Sequence, residues 1–214
     1  TYNAYSDFVI SIRSSSGNWT NLGPATIPAP GPAGYEGLGR LNVVAWHPSD
    51  PNKLYVGAPS GGFWMSSDGG NTWTTSTDTM PTLGVSAIAV DFSNPNHILI
   101  GTGDRDAGDA PGLGVFKSTD GGLTWAPSSG GMGNRTVARI IQHPTSAQTY
   151  LAATSGGVYR TTDGGVTWSL STGGNFKDIH FKPNDPNIVY AVGIADFYRS
   201  TNNGTSFTKI TAGL

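Results

Sequence analysis

Asp104, Asp106 and Asp109 place three carboxylates within six residues, and such a run could supply oxygen ligands to a hard cation. Calcium takes about 6 to 8 oxygens, however, and Arg105 stands between the first two acids, which works against a dense negative cage. The more economical reading is that these acids cap their own turns, so the cofactor expectation is none, with calcium at Asp104, Asp106 and Asp109 as the metal candidate. Cleavage of a glycosidic bond would need two carboxyls about 5 to 9.5 Å apart across a cleft, one with a raised pKa. Glu36, Asp78, Asp104, Asp106, Asp109 and Asp196 are candidates, but their spacing selects no pair. Glu36 is the sole glutamate, and Arg40, Arg105, Arg135, Arg139, Arg160 and Arg199 do not recur in step, as a cluster gripping a substrate carboxylate would require. His47, His97 and His143 lie beside turns and read as packed or turn-bonded, and His180 reads as a satisfied core residue. No nucleophile motif, phosphate loop or zinc motif is present, and there is no cysteine.

The elements that would carry these side chains are marked by a recurring phrase. It reads Ser66-Ser67-Asp68-Gly69-Gly70-Asn71-Thr72-Trp73, then Ser118-Thr119-Asp120-Gly121-Gly122-Leu123-Thr124-Trp125, then Thr161-Thr162-Asp163-Gly164-Gly165-Val166-Thr167-Trp168. A worn fourth copy is Ser200-Thr201-Asn202-Asn203-Gly204-Thr205-Ser206-Phe207. A period of about 40 to 50 residues means one supersecondary unit that must stack on copies of itself to bury its faces. Aligned on the phrase, each copy holds four short apolar runs separated by turn residues, the pattern of a four-stranded antiparallel meander. First strands are expected at 41–46, 85–90, 137–142 and 176–181, and fourth strands from Trp73, Trp125, Trp168 and Phe207 onward. Within the phrase a short carboxylate can accept bonds from its own turn, a glycine can take positive φ, and the tryptophan can enter the space between sheets. Asp68, Asp120, Asp163 and Asn202, with Trp73, Trp125, Trp168 and Phe207, are therefore read as structural.

The phrase resembles the Asp-box, or BNR repeat, of sialidases, sortilin-type receptors, xyloglucan-active hydrolases and many secreted bacterial β-propellers. The likeness covers residues 41–214, is specific in three copies and fainter in the fourth. It implies an all-β fold, a β-propeller of four-stranded antiparallel blades, with the box structural rather than catalytic. About four blades are expected, near 41–78, 85–129, 137–172 and 176–214. Ahead of them, residues 1–40 form an N-terminal segment in which 19–22, with Trp19, resembles a lone fourth strand, followed by a Pro- and Gly-rich loop. That surplus strand has no vacancy to fill, so the chain is expected to be part of a larger propeller whose remaining blades lie elsewhere in the same polypeptide.

In an up-and-down meander the box turns and the Pro-Asn turns share one end of every blade, and the irregular loops collect at the other, where a rigid scaffold presents binding residues. That end is expected to hold Tyr35, Glu36, Arg40, Asp78, Met80, Met132, Asn134, Arg135 and Asp196, and the longest departure from the repeat, 103–113, with Asp104, Arg105, Asp106 and Asp109. Charged residues make up 12% of the chain, about half the usual share, and the net charge is −2, so no basic footprint for nucleic acid is present. No apolar run approaches the roughly 20 residues that span a bilayer. Low charge on a surface rich in Gly, Ser, Thr and Asn suits an extracellular or cell-surface setting. The function expected is a binding or scaffold module for a protein or polysaccharide ligand on the loop face. A glycoside hydrolase and a sortilin-like peptide binder are the alternatives.

Overall fold

A computed structural model describes residues 40–211. Among them there are 16 strands, and no helix, arranged as four antiparallel sheets, each in simple sequence order. Blade 1 comprises β1 (Val43–Trp46), β2 (Leu54–Ala58), β3 (Gly62–Ser66) and β4 (Thr74–Thr75). Blade 2 comprises β5 (Val85–Val90), β6 (Ile98–Thr102), β7 (Val115–Ser118) and β8 (Ala126–Pro127). Blade 3 comprises β9 (Val137–His143), β10 (Ser146–Thr154), β11 (Gly157–Thr161) and β12 (Ser169–Thr172). Blade 4 comprises β13 (Phe176–Lys182), β14 (Asp185–Gly193), β15 (Phe197–Ser200) and β16 (Thr208–Ile210). The all-β expectation of four-stranded blades holds. The segment 19–22, Tyr35 and Glu36 lie outside the described residues.

Strand ends differ from the sequence reading for local reasons. Fourth strands start one residue after the aromatic, and in blades 1 and 2 they are two residues long. The aromatic belongs to the box turn instead, as when the Trp73 indole N–H donates to the Gly70 carbonyl at 2.9 Å. In blades 3 and 4 the second strand starts directly after a tight turn, which pairs Ser146 with His143 and Asp185 with Lys182.

Blade stacking follows from the side-chain pattern. Runs such as Ile98-Leu99-Ile100 are apolar on both faces because blade 2 is covered on both sides. Tyr55 and Phe63 of blade 1 pack on Val85, Ile88, Ile98, Ile100 and Phe116 of blade 2. Leu99 and Val115 then pack on Ile140, Tyr150, Tyr159 and Trp168 of blade 3, and Leu151 and Val158 on Phe176, Ile179 and Val189 of blade 4. Each fully buried aliphatic side chain at these junctions contributes about 1.5–3 kcal/mol relative to exposure. Gly57 and Gly101 sit where a Cβ would lie 2.6 Å from the first-strand valine of the next blade, Val85 and Val137, so the absence of a side chain permits that approach.

Candidate binding face

The two ends of the blades differ as the meander requires. At one end the Pro-Asn turn and the box turn are bonded to each other in every blade: Gly69 N–H donates to Asn52 O, Gly121 to Asn96, Gly164 to Gln148 and Asn203 to Asn187. Blade 3 lacks the second proline, yet Gln148 supplies the same carbonyl. Inside each box the carboxylate is consumed locally. Asp120 Oδ1 accepts from the Ser118 hydroxyl at 2.7 Å and the Thr124 amide at 2.9 Å, and Oδ2 from the Thr124 hydroxyl at 2.6 Å. Asp68 and Asp163 repeat this with Ser66 and Thr72, and with Thr161 and Thr167. Asn202 keeps the geometry: its Oδ1 accepts from Ser200 and the Ser206 amide, and its Nδ2 donates to the Ser206 hydroxyl. The threonine bonds, above all, hold Asp68 and Asp120 at a pKa of about 2. At Asp163 burial pushes upward, but the Thr167 and Thr161 bonds outweigh it and the value is again about 2.

The opposite end is organised by the insertion at 103–113. Asp104 is buried, and its carboxylate accepts from Arg40 Nη2 at 2.5 Å, from Asn42 Nδ2 at 3.4 Å, and from the amides of Asp106, Ala107 and Asp109 at 3.1, 3.2 and 3.4 Å. Burial drives its pKa upward, but the Asp106 amide and the Arg40 guanidinium overcome that and hold it at about 2. Arg105 extends the tether across the blades: its amide donates to the Ser86 hydroxyl of blade 2, its Nη1 reaches Ala138 O of blade 3 at 3.5 Å, and its carbonyl accepts from Lys177 Nζ of blade 4. One loop thus bonds to all four blades. It leaves a cleft of about 210 Å³ lined in part by Arg105, Asp106, Thr136, Ser155, Asn175 and Lys177.

The structure therefore gathers Arg40, Asp104, Arg105, Asp106 and Asp109 at one place. Their carboxylates do not converge: Asp104 faces Arg40, Asp106 faces Arg105 at 3.4 Å, and exposed Asp109 lies 3.8 Å from Arg40. No group of three or more acids or histidines among the described residues is placed to share a metal ion. Arg135 and Asp196 do not line the cleft. Arg135 is exposed and packs over Gly156, and Asp196 pairs with Lys209. Lys177, Ser155 and Asn175 were missed by sequence reasoning, since single polar residues at strand ends carry no spacing signal. His180 corrects its sequence reading. It is exposed, 3.1 Å from Asp178, because its face of β13 has no described blade against it. His143 is buried edge-on against Phe181 and accepts from the Thr145 amide.

Residues 159–170 match the BNR/Asp-box repeat family. The four sheets are blades of a β-propeller, and the third of them carries this repeat. A probable oligoxyloglucan-reducing end-specific xyloglucanase of Neosartorya fischeri is 35% identical over 101 residues, 45% of this chain and 12% of that protein. Among solved structures, an ancestral GH74 enzyme is similar with a TM-score of 0.69 and 26% identity, over 82% of this chain and 26% of the other. The GH74 xyloglucanase of Xanthomonas campestris gives 0.62 and 17%, over 82% and 31%. YCF48 bound to D1 peptide gives 0.56 and 16%, over 82% and 54%. The propeller segment thus spans about a quarter of the first of these structures and about an eighth of the curated relative.

Proposed function

We propose that this propeller segment is a non-catalytic binding module, working outside the cell or at its surface, and that its loop face takes a polysaccharide chain. The observation that supports it best is the state of Asp104, which is tied to Arg40 and three backbone amides and held ionised far below neutrality. A general acid for glycoside cleavage needs the reverse, a carboxyl whose pKa is raised by its surroundings. Each carboxyl among the described residues whose titration is displaced is displaced downward. What remains at the cleft is a set of short polar side chains, with Arg105 and Lys177 anchored rather than free, suited to hydrogen-bonding hydroxyl groups. The polysaccharide class is drawn from the xyloglucanase named among the relatives.

The test is calorimetry of the purified chain against xyloglucan oligosaccharides, alongside a reducing-sugar assay on the polymer. Binding without sugar release is expected, weakened at least tenfold by Thr136→Ala with Asn175→Ala. Release of sugar at ordinary enzymatic rates would replace this reading with the second one, a glycoside hydrolase, which the GH74 likeness favours.

A further inference from the structure

Each later box turn is bonded through its backbone to the preceding blade. The carbonyl of its second glycine accepts from a serine: Ser76 to Gly122 at 2.5 Å, Ser128 to Gly165 at 2.7 Å and Ser171 to Gly204 at 2.6 Å. One residue earlier the junctions differ. Lys117 of β7 donates to Gly164 O at 2.9 Å and Arg160 of β11 to Asn203 O at 3.0 Å, each paired across its sheet with a leucine, Leu99 and Leu151. In blade 1 the same pair is Tyr55 and Met65. A thioether donates no hydrogen bond, so Gly121 O, the counterpart of Gly164 O, has no partner among the described residues.

That exchange coincides with an open cavity of about 300 Å³ at the box end of blades 1 and 2, lined in part by His47, Lys53, Tyr55, Met65, Gly121 and Leu123. Tyr55 is 3% exposed, and stacking on Phe63 at 5.7 Å fixes its ring. Its hydroxyl has no partner among the described residues and is not sealed from solvent, whereas the leucines of the later junctions carry no polar group at this position. Lys53 is exposed and makes no ion pair among the described residues. His47 Nδ1 accepts from the Ser49 amide at 3.3 Å, which leaves the proton of the neutral ring on Nε2. Three donors and one acceptor are thus unpaired around one cavity, with Met65 and Leu123 as its apolar walls. Asp120, on the same wall, is ionised with its oxygens engaged by its own box, and it offsets the charge of Lys53.

We propose that this cavity is a second ligand site, at the end of the blades opposite the loop face, and that it takes one neutral pyranose residue of a sugar chain. The ligand must accept from Tyr55 and Lys53 and donate to Gly121 O. Sugar hydroxyls do both, whereas a simple anion only accepts and a simple cation only donates. The C–H face of the ring rests on Met65 and Leu123. A volume at the low end of the roughly 300–1,000 Å³ usual for small-molecule sites suits a single ring. The site rests on how the first junction departs from the two that follow it, and is independent of what the loop face binds.

Titration of the isotope-labelled chain with methyl β-glucopyranoside, followed by amide chemical shifts, tests it. Saturable shifts at Lys53, Tyr55 and Gly121 are expected, with a Kd in the millimolar range. Tyr55→Phe keeps the stacked ring and removes only the hydroxyl, and it should weaken this binding about fivefold. Met65→Lys places an ammonium where Lys117 and Arg160 stand in the later junctions, and it should abolish the shifts and raise the thermal midpoint. Shifts that neither substitution alters would overturn the proposal, as would the absence of any saturable shift. Shifts confined to Thr136, Ser155 and Asn175 would place the sugar at the loop face alone, refuting this site while leaving the loop-face reading intact. Tighter binding of inorganic phosphate than of the glucoside at Lys53 and Gly121 would make the cavity an anion site instead.

Discussion

Asp68, Asp120 and Asp163 show how a repeated carboxylate can be chemically silent. Each is saturated by hydroxyl and amide donors from its own turn, and the cost of protonating it in the folded chain is what holds it at a pKa of about 2. An unfolded aspartate titrates near 3.9, so these carboxylates favour the folded chain above that pH, and the advantage is lost as pH falls toward about 2. Thermal midpoints measured by circular dichroism should therefore drop between about pH 4 and pH 2. The triple variant Asp68→Asn, Asp120→Asn, Asp163→Asn should flatten that slope, since Asn202 already closes a box without a titratable group. A slope unchanged in the triple variant would place the acid sensitivity elsewhere. Asp104 is the other ionised anchor, and Arg40→Ala should speed hydrogen exchange at the amides of Asp106, Ala107 and Asp109, which cap it. Of the candidate residues, the box aspartates were legible because they recur in step. The five-residue cluster at the insertion was legible only as a break in the repeat, and which acid would be buried against Arg40 was not.

At the level of strands and turns, the box turn proves to be the connector between blades through its backbone. The sequence points to the tryptophan as the staple, and for Trp125 and Trp168 the structure agrees. Trp125 lies edge-on to Phe63 at 4.9 Å, and the Trp168 indole donates to Ser128 O of the preceding blade. What sequence reasoning missed is the serine two residues past the first residue of each early fourth strand, which caps the glycine carbonyl of the next box. Ser128→Ala removes one of two donors to the buried Gly165 carbonyl, the other being the Trp168 indole N–H at 2.9 Å, and should cost about 0.5–1.5 kcal/mol in urea unfolding. A loss below about 0.5 kcal/mol would mean that the indole alone satisfies that carbonyl. The signal was present at Ser76, Ser128 and Ser171, but a serine in a chain rich in serine stands out only once the register is known.

Over the whole molecule, exposure tracks position in the stack. Trp73 belongs to the first described blade and is 37% exposed, whereas Trp168 has a described blade before its own and is 3% exposed. Trp168→Ala should cost about 3–5 kcal/mol, and Trp73→Ala clearly less, in chemical unfolding of the same chain. Equal losses would mean that Trp73 is covered as fully as Trp168. The sequence by itself determined the four blades seen among the described residues, their four-stranded order and the sorting of regular and irregular turns to opposite ends. Those follow from local periodicity and turn chemistry, which depend on neighbours a few residues away. Only the tertiary structure decided that one insertion bonds to all four blades, that Lys177 and Asn175 join a cleft with residues some 70 positions earlier, and that identical tryptophans differ in burial. These depend on which blade stands beside which, and a side chain's environment across such a junction is set by packing between segments far apart in the chain.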